Sequence, residues 1–257
     1  MSKKHLLALA LMIGAAGAQA ADNGLRIGIE AAYPPFAYKQ ANGELAGFDY
    51  DIGNALCKQM EVKCIWVEQE YDGLIPSLKV RKVDAILASL TITEDRKKSV
   101  DFTDRYYRSA ARLVMKQDLQ LGSDLSGLAG KRIGVQRASI HDRYATQVLE
   151  PKGAVVVRYT SQNEVYLDLQ AQRLDGTLAD DVILDQTFLK KPIGKGFAFS
   201  GPAFNDPAYF GDGVAIAVRK GDQPLAERFN RAIAEIRANG TYQQINSKYF
   251  DFNVYGE

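Results

Sequence analysis

The residues of this chain whose types and places suit chemistry are Glu30, Tyr33, Tyr71, Ser89, Thr91, Arg96, Ser139, Ile140, His141 and Asp180. They supply two carboxylates, one guanidinium, one imidazole, hydroxyls and phenols, a set built for charge pairing and hydrogen bonding. Covalent catalysis has no anchor. There is no G-x-S-x-G or H-E-x-x-H, and neither a G-x-x-x-x-G-K-[ST] loop nor a G-x-G-x-x-G turn follows the first strand. His141 is the only histidine after residue 20, so it cannot supply a triad or a metal site by itself. No catalytic residue, metal or cofactor is expected.

Each of these residues needs an element to carry it. Apolar runs of strand length alternate with helical periods: Leu25–Ile29, Tyr50–Met60 with Ile52, Leu56 and Met60 on one face, Val62–Val67, Leu74–Val80 and Asp84–Leu87. The rhythm restarts with Leu113–Met115, Arg132–Val135, a helix after Ser139, Val155–Tyr159, a helix after Ser161, Thr177–Ala179 and a helix through Leu189. Two α/β units follow, each a mostly parallel sheet covered by helices, which bind ligands beyond the carboxyl ends of their strands. Glu30 and Tyr33 follow the first strand, Ser89 and Thr91 end another, and Asp180 follows Thr177–Ala179. Ser139-Ile-His-Asp142 and Ser161-Gln-Asn-Glu164 read as capping boxes, and Asp49 reads as the cap of the Tyr50–Met60 helix.

Val214–Val218, a helix with Leu225, Phe229, Ile233 and Ile236 on one face, and an aromatic tail are too little for a third unit. They are expected to return to the first, so that the chain crosses between lobes twice, near 108–112 and 205–213. The predicted division is a leader over 1–20, a first lobe over 21–109, a second over 110–207, and a return segment over 208–257. Gly211-Asp-Gly213 reads as a flexible turn at the second crossing.

Composition narrows the partners. The 257 residues carry 32 Lys+Arg against 31 Asp+Glu, which leaves no field to hold nucleic acid or an acidic membrane, and a small, locally complementary ligand fits better. Lys3 and Lys4 precede an apolar run from Leu6 to Ala18 and then Ala18-Gln19-Ala20, the pattern of a cleaved export signal. That run falls short of the ~20 residues that span a bilayer. Export places the only two cysteines, Cys57 and Cys64, in an oxidising compartment, where they are expected to form a disulfide stapling a short loop.

Several stretches together carry a resemblance: Arg26-Ile-Gly-Ile-Glu30, Tyr33-Pro-Pro-Phe36, Gly47-Phe-Asp49, Ile75-Pro-Ser-Leu78, Ser89-Leu-Thr-Ile-Thr-Glu-Asp-Arg96 and the ending Lys248-Tyr-Phe-Asp-Phe-Asn-Val-Tyr-Gly256. From Gly24 onward the chain resembles the periplasmic solute-binding proteins of polar amino-acid ABC importers, above all those for lysine/arginine/ornithine and for histidine. The resemblance implies the two-lobed periplasmic binding protein fold, a hinge-closing trap for a basic amino acid, delivery to an ABC permease, a periplasmic location and a monomer.

It also implies roles. A zwitterion taken out of water needs both charges paired. Arg96 would fork the carboxylate, assisted by Thr91 and by the amides of Ser139, Ile140 and His141; the alternative is a surface pair with Glu94 or Asp101. Asp180 would take the ammonium with Ser89, unless Asp181 points inward instead. Tyr33 and Tyr71 would sandwich the aliphatic stem. Glu30, where the resembled proteins carry aspartate, would meet a distal cation, favouring arginine or ornithine, then lysine or histidine. His141 would read a long ligand or lie on the rim. Two other readings stay open: a dehydratase of the cyclohexadienyl type with Glu30 as its acid, and a binder of opines, which would want an extra cation at the rim.

Overall fold

The computed structural model describes residues 24–119 and 121–256. The expected leader over 1–20 lies outside them. In chain order the strands are β1 (Leu25–Ile29), β2 (Ala32–Tyr33), β3 (Ala37–Lys39), β4 (Leu45–Ala46), β5 (Cys64–Glu68), β6 (Ala85–Ile86) and β7 (Val100–Tyr107). There follow β8 (Ala111–Lys116), β9 (Arg132–Gln136), β10 (Val155–Tyr159), β11 (Gly176–Asp180), β12 (Phe197–Phe204) and β13 (Val214–Arg219). They form two five-stranded sheets, β5-β1-β6-β13-β7 and β10-β9-β11-β8-β12, with β2, β3 and β4 in a small sheet beside the first.

Mostly parallel sheets were expected, and the sheets are mixed in a specific way. β5, β1 and β6 pair in parallel, while β13 runs antiparallel to both β6 and β7. In the second sheet β10, β9 and β11 pair in parallel, and β8 runs antiparallel to both β11 and β12. The reversed strand in each sheet is the one the chain enters after passing from the other sheet. Strands of one lobe finish at the cleft, so a short connection from β7 to β8, or from β12 to β13, delivers a strand that starts there and runs away from it. The only helix in these connections, the four-residue Pro207–Phe210 after β12, is too short for the crossover that a parallel direction needs.

The second connection is tight. Gly211 and Gly213 have φ of 60° and 95°, and a Cβ at 211 would lie 1.7 Å from the Ile92 carbonyl oxygen. Only glycine fits there.

Helix Phe48–Gln59 buries Phe48, Ile52 and Leu56 against the first sheet and starts two residues earlier than its apolar period implies. A 1.97 Å Cys57–Cys64 disulfide ties its last turn to the start of β5. Helix Gln223–Ala238 buries Leu225, Phe229, Ile233 and Ile236, the face read from the sequence. The closing helix Thr241–Tyr249 docks beside Phe48–Gln59, where Lys248 and the Tyr249 hydroxyl both reach Asp51, at 2.6 and 2.7 Å. Phe36, Phe48, Tyr107 and Phe250 form one aromatic cluster beneath the cleft. The tail therefore completes the core of the first sheet.

The Ser161 capping box is complete. The one expected at Ser139 is not reciprocal: Ser139 accepts from the Asp142 amide, but the Asp142 carboxylate turns back to the Ala138 amide, because Ala138 sits at φ 61° and presents its N–H there.

Candidate functional site

The carboxyl ends of the two sheets face each other over a nearly filled cleft, with about 10 Å³ of free space, lined by Glu30, Tyr33, Tyr71, Ser89, Thr91, Gln136, Ser139, Ile140, His141 and Asp180. That is room for about one water, so the walls are nearly closed on each other and a ligand enters only when they part. A larger concavity opens to solvent, and Asp101 and Lys220 in its wall pair with each other at 2.6 Å.

Strand ends position the first side of the cleft. Glu30 follows β1 and is 5% exposed; its carboxylate accepts from the Gln136 amide of the other lobe. Burial pushes Glu30 up to about 7, the carboxylates of Asp72 and Glu70 push the same way, and the Gln136 bond opposes them. Tyr33 ends β2 and donates to Asp180 at 2.6 Å across the cleft, and burial beside that carboxylate holds its phenol well above its usual range. Tyr71 starts a single 3₁₀ turn after β5.

Ser89 sits at φ 51°, a strained value for a non-glycine residue. Asp49 holds it there. The fully buried Asp49 carboxylate accepts from the Ser89 amide at 2.8 Å, the Ser89 hydroxyl at 3.1 Å and the Tyr106 hydroxyl at 2.8 Å. Burial raises Asp49 to about 6, and these bonds hold it below the value burial alone would give. The reading of Asp49 as a helix cap is thus corrected: the helix begins at Phe48, no side chain caps it, and Asp49 turns into the core. With its proton committed to Asp49, the Ser89 oxygen is left to accept.

Arg96 does not line the cleft itself. It belongs to a short helix, Glu94–Lys97, capped by Thr93. Its guanidinium bonds the Thr91 carbonyl at 3.0 Å and the Tyr71 hydroxyl at 2.9 Å, and reaches the Ala138 carbonyl of the other lobe at 3.5 Å. Its side chain therefore meets neither Glu94 nor Asp101, the surface partners weighed above, which pair instead with Lys97 and Lys220.

From the second lobe, Asp180 ends β11 and points inward, whereas Asp181 accepts from the Ser109 hydroxyl and from the Val182 amide of its own helix. His141 Nε2 is buried with no hydrogen-bond partner, 3.6 Å from an Asp180 oxygen. It lies inside the cleft rather than on the rim. Ser139 donates to the Gln136 carbonyl at 2.7 Å and caps the helix that presents Ile140 and His141. Gln136 itself escapes sequence reasoning, although it is the last residue of β9 and so obeys the same strand-end rule as Asp180. Among the described residues no cluster of His, Cys, Asp and Glu could hold a metal ion.

Two α/β lobes joined by two connections, closing on a small buried cleft with charged groups of both signs at its walls, make a ligand-trapping binding protein. The chain matches the bacterial extracellular solute-binding proteins, family 3, over residues 25–252, and belongs to that family. Its relatives include the L-arginine-binding protein of Pseudomonas aeruginosa, 59% identical over 100% of this chain and 99% of the relative. The lysine/arginine/ornithine-binding periplasmic protein of Escherichia coli is 46% identical over 99% of this chain and 100% of its own. The solved structure of an ancestral arginine-binding protein bound to arginine superposes with a TM-score of 0.81 at 35% identity, covering 90% of this chain and 100% of that one. These relatives are binding proteins and not enzymes, and this chain likewise has a non-enzymatic, solute-binding role.

Proposed function

We propose that the protein is a periplasmic trap for a cationic L-amino acid, arginine or ornithine before lysine or histidine, and that it delivers the ligand to an ABC permease. The observation that carries this reading is Glu30: a carboxylate 5% exposed, at one end of a small cleft, whose hydrogen-bond partner among the described residues is a neutral amide. A buried carboxylate with a neutral partner is costly when ionised, and a guanidinium or ammonium from the ligand removes that cost.

The opposite end suits the amino-acid backbone. Asp180 and the Ser89 oxygen would accept from the ammonium, and Arg96, beside Thr91 and the Ser139 to His141 helix start, would fork the carboxylate. Tyr33 and Tyr71 would cover the stem between. The arginine-binding and lysine/arginine/ornithine-binding relatives support a basic ligand. The lobes would comprise 21–109 with 208–257, and 110–207, and would move about the two connections. The opine alternative loses ground because Arg137, a cation at the rim, is already held between Glu70 and Asp72. As for the dehydratase, a pKa near 7 would suit Glu30 as an acid, yet burial beside the Asp72 and Glu70 carboxylates accounts for it, and a cationic ligand would pull it back down.

A thermal-shift screen of amino acids and opines tests the reading. A true ligand at 100 times its Kd should stabilise the protein by about 2.7 kcal/mol. Arginine or ornithine should give the largest shift, and failure of every basic amino acid would overturn the proposal.

A further inference from the structure

Arg137 follows the last residue of β9, and its guanidinium leaves its own lobe altogether. It meets the Glu70 carboxylate at 2.9 Å and the Asp72 carboxylate at 2.6 Å, the two residues that flank Tyr71 after β5 of the first sheet. The carboxylates around it in its own lobe are committed elsewhere. Glu164 accepts from the Thr160 and Ser161 amides in the capping box, and Asp168 is held by Arg173 and by the Tyr159 hydroxyl at 2.6 Å. The Arg137 amide is fixed on the Tyr159 carbonyl at 2.9 Å, so the backbone holds the side chain at the mouth of the cleft.

We propose that Arg137, Glu70 and Asp72 form a latch between the lobes that sets how long a captured ligand is held. The inference rests on the trap reading. None of the three residues lines the cleft, so the latch acts on closure rather than on recognition. Its geometry exists only while the carboxyl ends of the two sheets are apposed, since both carboxylates belong to one lobe and the guanidinium to the other. A second effect has the same sign. Glu30, Glu70 and Asp72 are three carboxylates on one lobe, and Arg137 offsets their mutual repulsion when the cleft shuts.

The pairs are partly exposed, with Arg137 41% and Glu70 65% accessible, so each is weak and screened by salt. Two such pairs on one guanidinium should change the dissociation rate about three- to tenfold.

The test compares the parent, Arg137→Gln, Arg137→Lys and the triple variant Glu70→Gln/Asp72→Asn/Arg137→Gln by stopped-flow with arginine, at low and near-physiological salt. Arg137→Gln should speed dissociation about three- to tenfold while changing association less than about twofold. Arg137→Lys should recover part of the loss, the triple variant should dissociate no faster than Arg137→Gln, and dissociation should quicken with salt in the parent and Arg137→Lys more than in the variants without the cation. A second arm needs no ligand. Spin labels at Val80→Cys and Leu167→Cys, exposed positions in opposite lobes, should report longer distances in Arg137→Gln than in the parent. Unchanged dissociation together with unchanged distances would overturn the latch while leaving the trap intact. A parent that binds no basic amino acid would sink the function reading, and the distance arm would still decide the latch.

Discussion

The two walls of the cleft are built differently. On the first wall, Ser89 is pinned by Asp49, and Arg96 is pinned by Thr91 and Tyr71 with only a 3.5 Å reach to the Ala138 carbonyl of the other lobe. On the second wall, Ser139 is held within its own lobe, but three other groups that face the cleft reach across it or have no partner. Asp180 takes its proton donor from Tyr33, Gln136 gives one amide proton to Glu30 beside a 3.1 Å bond to the Thr160 carbonyl of its own lobe, and His141 Nε2 has no partner. The first wall is thus set before the lobes meet, and the second is completed by their meeting. A preorganised wall loses little entropy on binding, so ligand should dock there first and closure should follow.

The largest break in this contrast should come from Arg96→Ala. Its guanidinium is the cation held on the preorganised wall, and without it the ligand carboxylate would be buried unpaired. Calorimetry should find binding weaker by roughly 3–5 kcal/mol, about two to three and a half decades. The melting of the unliganded protein should move little, because the side chain is only half-buried at the cleft edge. Affinity within threefold of the parent would remove Arg96 from the site.

Asp49→Ala sharpens the contrast from below the surface. It leaves the Ser89 amide, the Ser89 hydroxyl and the Tyr106 hydroxyl without their shared acceptor, and it frees Ser89 from a strained backbone. Chemical denaturation should show a loss of about 2–4 kcal/mol. Gln136→Ala on the second wall should cost less, about 1 kcal/mol, since only one of its amide's two bonds, to the Thr160 carbonyl, lies within its own lobe. Equal losses at the two positions would mean that the walls are not differently prepared.

How far the sequence revealed this follows from the same distinction. β1 is legible as Leu25–Ile29 because an apolar run there is bounded by polar residues, and the face of helix Gln223–Ala238 follows from its period. The reversal of β8 and β13 is not legible, because an apolar run such as Val214–Val218 carries no mark of its direction. The strand-end rule and the resemblance together pointed to nine of the residues that line the cleft. Gln136 is not legible because the apolar run ends at Val135 and its uncharged side chain carries no mark of a site. Arg137 escaped because its partner Glu70 lies 67 residues away in sequence. Asp49 was misread because a shift of two residues in the helix start moves it from the cap into the core.

The smallest effect, and the one most specific to the closed cleft, is a pH dependence at Glu30. Its pKa rises from 4.5 to about 7 on burial, so between those values the folded protein holds a proton that the unfolded chain has released. Stability therefore falls as pH rises through that window, by at most about 3 kcal/mol, and by less where opening of the lobes rehydrates the carboxylate. Asp49, raised to about 6, adds a loss of the same sign that ends lower. The range just below and above pH 7 accordingly belongs to Glu30. In unliganded protein the melting temperature should decline across it, and Glu30→Gln should flatten that decline while leaving the one at lower pH. A bound cation reverses the logic: it stabilises ionised Glu30, so arginine affinity should rise with pH over the same range in the parent and not in Glu30→Gln. Glu30→Gln should also weaken arginine at least about tenfold near neutral pH, the loss of a charge-assisted bond. Affinity with no pH dependence in the parent would place the ligand's cation away from Glu30, and a parent melting curve flat through pH 7 would mean that the carboxylate is not desolvated at all.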